Sequence, residues 1–362
     1  MEVLLLINCG IMNLNMIENC RTRSEYFAYM LKKEMSKIEG VNPTITKGYP
    51  MIKIRKTFKN IFVNNVQNAD HIVFIDEYGF YDKDNTFLKQ LKLVSHYSVM
   101  SLCKHYKYYG GEDVMFSYIR YLEKDQLIHI KPPLDPEINK PIIKNNLIYI
   151  LISKPESEFK NYNIDSTIYV LNKINELKQS NIDINFEIAL INTSSIDFIE
   201  TDGNIVNSLS FNTYYEYITE LNKATIYFQL IVVDDIYRLY ELSMSDTLII
   251  TKGINISMMI VDELDIFKFD NEDDFSWNDV FSRINTKNTR KKLIDGNYTW
   301  ENLAKVMINK MKEFKTEYDN NSDKRKQKES TTSNDFFKSK VGYYLNINDR
   351  KKVNRASNKV LH

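Results

Sequence analysis

Apolar residues along this chain come mostly in short unbroken runs, with little strict alternation. The first is VLLLIN, from Val3 to Asn8. A run of this length bounded by polar residues predicts a strand covered on both faces. CRTRSEYFAYMLKKEM follows, from Cys20 to Met35, and places Tyr26, Phe27, Met30, Leu31 and Met35 at helical spacing, with Ser24 as the expected cap. HIVFID (His71 to Asp76) and YSVMSL (Tyr97 to Leu102) read as further strands, with FLKQLKLVS between them as a helix.

The second half repeats the scheme. LIYILIS (Leu147 to Ser153) is a strand, IDSTIYVLNKINELKQS a helix and INFEIALI a strand; YYEYITELNKA is a helix and TIYFQLIVV a strand. VVDDIYRLYELSMSDTLIITKG, from Val232 to Gly253, then supplies a helix and the strand TLIITKG, and YTWENLAKVMINKMKEF closes the pattern as a long amphipathic helix. Strand–helix alternation in both halves predicts an α/β protein with two parallel-sheet, helix-covered domains. Four of the seven prolines fall in KPPLDPEINKP, from Lys131 to Pro141, where fixed φ angles favour a semi-rigid connector. The expected layout is an N-terminal domain over 1–130 and a linker over 131–141. A C-terminal domain with the closing helix follows over 142–318, then a tail over 319–362.

Composition narrows the class. Hydrophobic residues are 43% and charged residues 27%, ordinary for a globular chain, and a net charge of zero gives the whole protein no reason to seek a polyanion. The charge is uneven, however. DKRKQK, FFKSK and DRKKVNR make the last segment basic, which reads as a disordered solubilising tail, with a nucleic-acid arm as the alternative. Cys9, Cys20 and Cys103 lack metal-type spacing and fit reduced thiols. No run reaches the roughly 20 apolar residues of a membrane span. The expected location is therefore cytoplasmic. Scarce glycine and proline beside abundant Asn, Ile and Lys suggest an AT-rich genome, viral or parasitic.

In an open parallel sheet, ligands bind beyond the carboxyl ends of the strands, near the N-termini of the following helices. Arg238 and Glu241 lie three apart on such a helix. The cation can neutralise a diphosphate, and the carboxylate can accept from both ribose hydroxyls. The alternative is an ordinary ion pair on a solvated face. Asp234 and Asp235 are either a metal pair or first-turn charge favoured by the helix dipole, and the second reading is preferred. A divalent metal is thus permitted but not required. Lys154, after the strand ending at Ser153, can face the same phosphates, or it is a surface lysine without a role. In SLCKHYKYYGGED, His105 is the candidate general base, and Glu112, after Gly110 and Gly111, is the second. Loop residues without a role are the alternative. The G-x-G-x-x-G fingerprint is absent, since CGIMNLNMIENC has Gly10 alone.

Two similar α/β domains, a proline-rich linker and a closing helix that begins YTWENLAKVMI together resemble the GT-B class of nucleotide-sugar glycosyltransferases. The resemblance covers roughly residues 1 to 315. Within the class, RLYELSMSDTLII (Arg238 to Ile250) is similar to the sugar-nucleotide segment of the phage DNA β-glucosyltransferases, and SEYFAYMLKKEM is similar to their first helix. The resemblance implies two Rossmann-like domains facing a cleft. It assigns Arg238 to the diphosphate, Glu241 to the ribose and Lys154 to the phosphate-binding arginine's place. Two departures stand out. No Gly-Gly turn precedes Lys154, and Lys104 and His105 stand where the family places a catalytic aspartate. The implied activity is hexosyl transfer from a nucleotide sugar, expected to be a UDP-sugar, to an acceptor hydroxyl on a glycan, protein or DNA. A DNA-modifying glucosyltransferase and an inactive interaction or structural protein remain alternatives.

Overall fold

The structure is a computed structural model that describes residues 1–7, 14, 16–47, 68–76, 96–103, 113–118, 127–142, 147–153, 164–179, 185–191, 198–201, 204–229, 236–252, 264–269, 275–286 and 288–321. The chain divides into two compact units, one of residues 1–131 with 300–362 and the other of residues 132–299.

The first unit carries β1 (Glu2–Ile7), α1 (Arg23–Met35), β2 (Asn42–Lys47), β3 (His71–Asp76), β4 (Ser98–Cys103), β5 (Val114–Ser117) and β6 (Leu127–His129). Its strands pair in the order β2-β1-β3-β4-β5-β6, every pair parallel. Val3 to Ile7, Ile72 to Ile75 and Val114 to Phe116 are all buried. Both faces of the sheet are therefore covered, and the strands read as continuous apolar runs for that reason. The start of α1 is set by Thr22, earlier in the chain than the expected Ser24 cap. The Thr22 hydroxyl accepts from the Glu25 amide while the Glu25 carboxylate accepts from the Thr22 amide, a reciprocal capping box. Ser24 lies inside the helix and is buried.

The second unit carries β7 (Leu147–Ser153), α2 (Ile164–Gln179), β8 (Asn185–Ile191), β9 (Phe198–Thr201), β10 (Asn204–Leu209), α3 (Tyr214–Leu221), β11 (Ile226–Gln229), α4 (Ile236–Met244), β12 (Leu248–Lys252), β13 (Ile266–Phe269), α5 (Trp277–Thr286) and α6 (Thr289–Asp295). The sheet order is β13-β12-β11-β7-β8-β10-β9. It is parallel throughout except for β9, which pairs antiparallel with β10 at the edge. One face buries Ile150, Ile152, Ile226, Phe228, Leu248 and Ile250 against Val170, Leu171 and Ile174 of α2.

Two expectations about organisation change. The closing helix α7 (Trp300–Asn320) belongs with the first unit, not with the C-terminal domain. Its Trp300 is buried with edge-to-face contacts at 4.8 Å to Phe27 and 5.8 Å to Tyr26 of α1, so its apolar stripe matches α1. The proline-rich segment, expected as a connector, is fastened to the second unit. Tyr237 donates to the Pro133 carbonyl, Asn222 to Ile138, and Arg290 to Pro136, Asn139 and Met244. Prolines contribute carbonyls without matching N–H donors, and the carbonyls of Pro133 and Pro136 take side-chain donors as partners. The helix read over FLKQLKLVS and most of the basic tail lie outside the described residues.

Candidate functional site

In the second unit the chain steps from β7 outward through β8 to β10, then returns to place β11 on the other side of β7 and continues through β12 to β13. The strand order therefore reverses between β7 and β11. Open α/β sheets form a ligand crevice beyond the carboxyl ends at this kind of reversal. The helix that follows β11 is α4, and it carries Arg238 and Glu241.

Neither residue sits on a solvated face. Glu241 is 0% exposed, and its Oε1 accepts from the Tyr214 hydroxyl at 2.6 Å. Arg238 is half-buried. Its Nε donates to the Tyr217 hydroxyl at 2.6 Å and one terminal nitrogen donates to the Tyr227 hydroxyl at 3.2 Å. Tyr214 and Tyr217 lie one turn apart on α3 and stack at 5.4 Å between ring centroids, and Phe211 meets Tyr217 edge-on at 5.6 Å. Successive turns of α3 thus hold successive turns of α4 through tyrosine hydroxyls. The Arg238 bonds join a cation to neutral hydroxyls, which strengthens them while leaving the charge in place.

The end of α4 is equally ordered. Asp246 takes φ of 57°, a left-handed conformation that Asp tolerates better than most residues. The Thr247 amide reaches back to the Leu242 carbonyl at 2.9 Å, closing the helix in the manner usually led by glycine. Thr247 also donates its hydroxyl to Ala224, which joins this turn to the start of β11. The SMSD segment between Arg238 and β12 is therefore a compact helix stop.

A second polar feature lies at the sheet itself. β7, β11 and β12 are buried and largely apolar until their carboxyl ends, where Ser153, Gln229 and Thr251 appear, all buried. Gln229 is the register partner of Thr251, and Ser153 follows Ile152, the partner of Phe228. Their neighbours Ile152, Phe228 and Ile250 face the core against α2. By strand alternation the polar row faces the other side, the side on which Tyr227 meets Arg238.

The remaining sequence candidates fall elsewhere. Lys154 comes one residue after β7, and His105 two residues after β4, but both lie outside the described residues, as do Glu112, Asp234 and Asp235. Asp113, beside Glu112, is engaged: its carboxylate accepts from the Val99 amide at 2.8 Å, and its own amide donates to the Val99 carbonyl. Among the described residues, no three His, Cys, Asp or Glu side chains gather to hold a metal ion. None of the described helices is long and apolar enough to cross a membrane. The tyrosines and the polar row were missed by sequence reasoning. Ser153 and Thr251 each close an apolar run, whereas Gln229 is followed by the apolar LIVV and gives no such signal.

No family model and no curated protein sequence matches the chain. Solved structures do. Sucrose-phosphate synthase from Thermosynechococcus elongatus aligns at a TM-score of 0.51 and 10% identity, over 87% of this chain and 100% of that one. UDP-GlcNAc 2-epimerase from Methanocaldococcus jannaschii also aligns at 0.51, with 9% identity, over 85% of this chain and 99% of that one. At such identity the likeness is one of fold. The chain has the α/β fold of the GT-B nucleotide-sugar glycosyltransferases and epimerases, with two mainly parallel sheets and helices packed on them.

Proposed function

We propose that the chain is a glycosyltransferase that binds a nucleotide-sugar donor in its second unit and passes the sugar to an acceptor hydroxyl. The observation that carries this reading is the position of Arg238 and Glu241 on α4, directly after the strand at which the sheet order reverses. Arg238 would stabilise the diphosphate as its negative charge grows on departure, and Lys154 would add a second cation. Glu241 would take the ribose. The Tyr214 hydroxyl already meets this carboxylate at 2.6 Å as a neutral donor, the kind of group a ribose hydroxyl also presents. His105 or Glu112 would remove the acceptor proton. A UDP-sugar is the expected donor, and no metal is required by this scheme.

A thermal-shift screen of the full chain against nucleoside diphosphates and their sugars tests the reading. A ligand at a hundredfold excess over its Kd adds about 2.7 kcal/mol, or roughly 5–10 °C in Tm for a unit of this size. Glu241→Gln retains an acceptor for Tyr214 but loses the charge. It should weaken the best ligand by about tenfold or more, the equivalent of one charge-assisted hydrogen bond. If the Glu241→Gln variant folds normally and binds as tightly as the parent, the ribose role is refuted.

A further inference from the structure

The row formed by Ser153, Gln229 and Thr251 has no assigned role, and its physical chemistry is unusual for a sheet interior. Ser153 and Gln229 end β7 and β11, Thr251 is the next-to-last residue of β12, the positions just before each are apolar, and all three are buried. Among the described residues the Thr251 hydroxyl, fully buried, has no hydrogen-bond partner. Leaving a buried hydroxyl unsatisfied is unfavourable, and native folds seldom keep one without a use. Valine would fill the same space without that penalty. The row also lies on the sheet face that Arg238 reaches through Tyr227, and it includes β7 and β11, the two strands that flank the reversal.

We infer that this row is a subsite for the sugar hydroxyls of the donor, with Thr251 and Gln229 as the contacting pair. The inference rests on the nucleotide-sugar reading above. Two hydroxyls and a carboxamide carry no charge, so they match a neutral polyol better than a phosphate. A buried polar group that loses its ligand partner discriminates strongly against ligands lacking that hydroxyl. In this arrangement Arg238 and Glu241 hold the nucleotide, and the row reads the sugar.

The test compares UDP with UDP-glucose and UDP-N-acetylglucosamine by calorimetry on the full chain. Thr251→Val should leave UDP affinity within about twofold and reduce the added affinity for the preferred sugar nucleotide by about tenfold, one hydrogen bond's worth. Thr251→Ser should restore most of it. Without ligand, Thr251→Val should melt at or above the parent temperature, because an unsatisfied hydroxyl has been removed. An unchanged sugar preference in Thr251→Val, with normal UDP binding, overturns the subsite alone. A lower ligand-free Tm in that variant shows the hydroxyl to be structural and also overturns it. If the parent chain binds none of the three nucleotides, the underlying reading fails and the subsite falls with it.

Discussion

Near the amino end of β7, Tyr149 donates its hydroxyl to Glu220, whose other carboxylate oxygen meets Lys223 at 2.7 Å. Burial pushes the phenol's pKa well above its ordinary value, and the hydrogen bond to Glu220, the charge of Glu220 and that of Glu187 push the same way. The sign of the linkage follows. A folded-state pKa above the unfolded one gives stability that is complete below about pH 10 and is lost as pH rises beyond it. Urea unfolding followed from about pH 8 to 11 should show stability falling above about pH 10, and Tyr149→Phe should make that fall shallower; equal slopes in the two proteins would discount the pair. At this same scale the sequence was half legible. Arg238 and Glu241 could be singled out because their spacing and their place after a strand are local facts. Tyr214 and Tyr217 could not, because they meet α4 across 27 and 21 residues of chain. Nothing in the i, i+3 pattern of one helix reports which side chains of its neighbour will bond to it, so a solvated ion pair and a buried tyrosine-held pair looked alike.

Elements were more legible than their ends. Long apolar runs gave β1, β3, β4 and β7, and the 3.6-residue pattern gave α1, α3 and α7, since burial of one face is written directly into composition. β2, with its NPTITK sequence, β6 and β13 lack such runs and draw their stability from neighbours already in the sheet. The aromatic start of α7 was visible, but not its destination. Trp300 is 2% exposed against α1, and Tyr318, near the other end of the helix, meets His96 and Tyr97 just before β4. The helix therefore spans much of the first unit and covers it. Trp300→Ala should lower the stability of that unit by about 3–5 kcal/mol, the usual range for removing a buried aromatic. Hydrogen exchange would locate the effect. Faster exchange in α1 and β1, with the amides of β11 and β12 unaffected, is the expected pattern; uniform acceleration in both sheets would argue against α7 as a first-unit element.

At the scale of the molecule, the two units differ in how the chain builds them. The first is assembled from residues 1–131 and a second segment that starts at Trp300, so its fold closes only after the second has been traversed, whereas the second is one continuous stretch from 132 to 299. That stretch begins inside the proline-rich segment and is self-contained. Leu134 bridges to Thr299, its amide donates to the Tyr298 carbonyl, and Arg290 holds the carbonyls of Pro136 and Asn139. Both ends of the second unit are thus stitched together by its own hydrogen bonds. Proline density marked a boundary in the sequence but not its side, because prolines record a lack of N–H donors without saying which neighbour supplies them. A chain of residues 132–299 should therefore fold alone with a cooperative melt, while 1–131 alone should fail, having lost the helix that covers Tyr26 and Phe27. Fusing 300–321 to 1–131 through a flexible linker should rescue it, since lengthening such a loop adds only about 0.6 kcal/mol per doubling. Under the proposed function, nucleotide binding should travel with the 132–299 piece. A folded 132–299 that binds no nucleoside diphosphate, when the full chain does, would move the site's essential residues into the first unit.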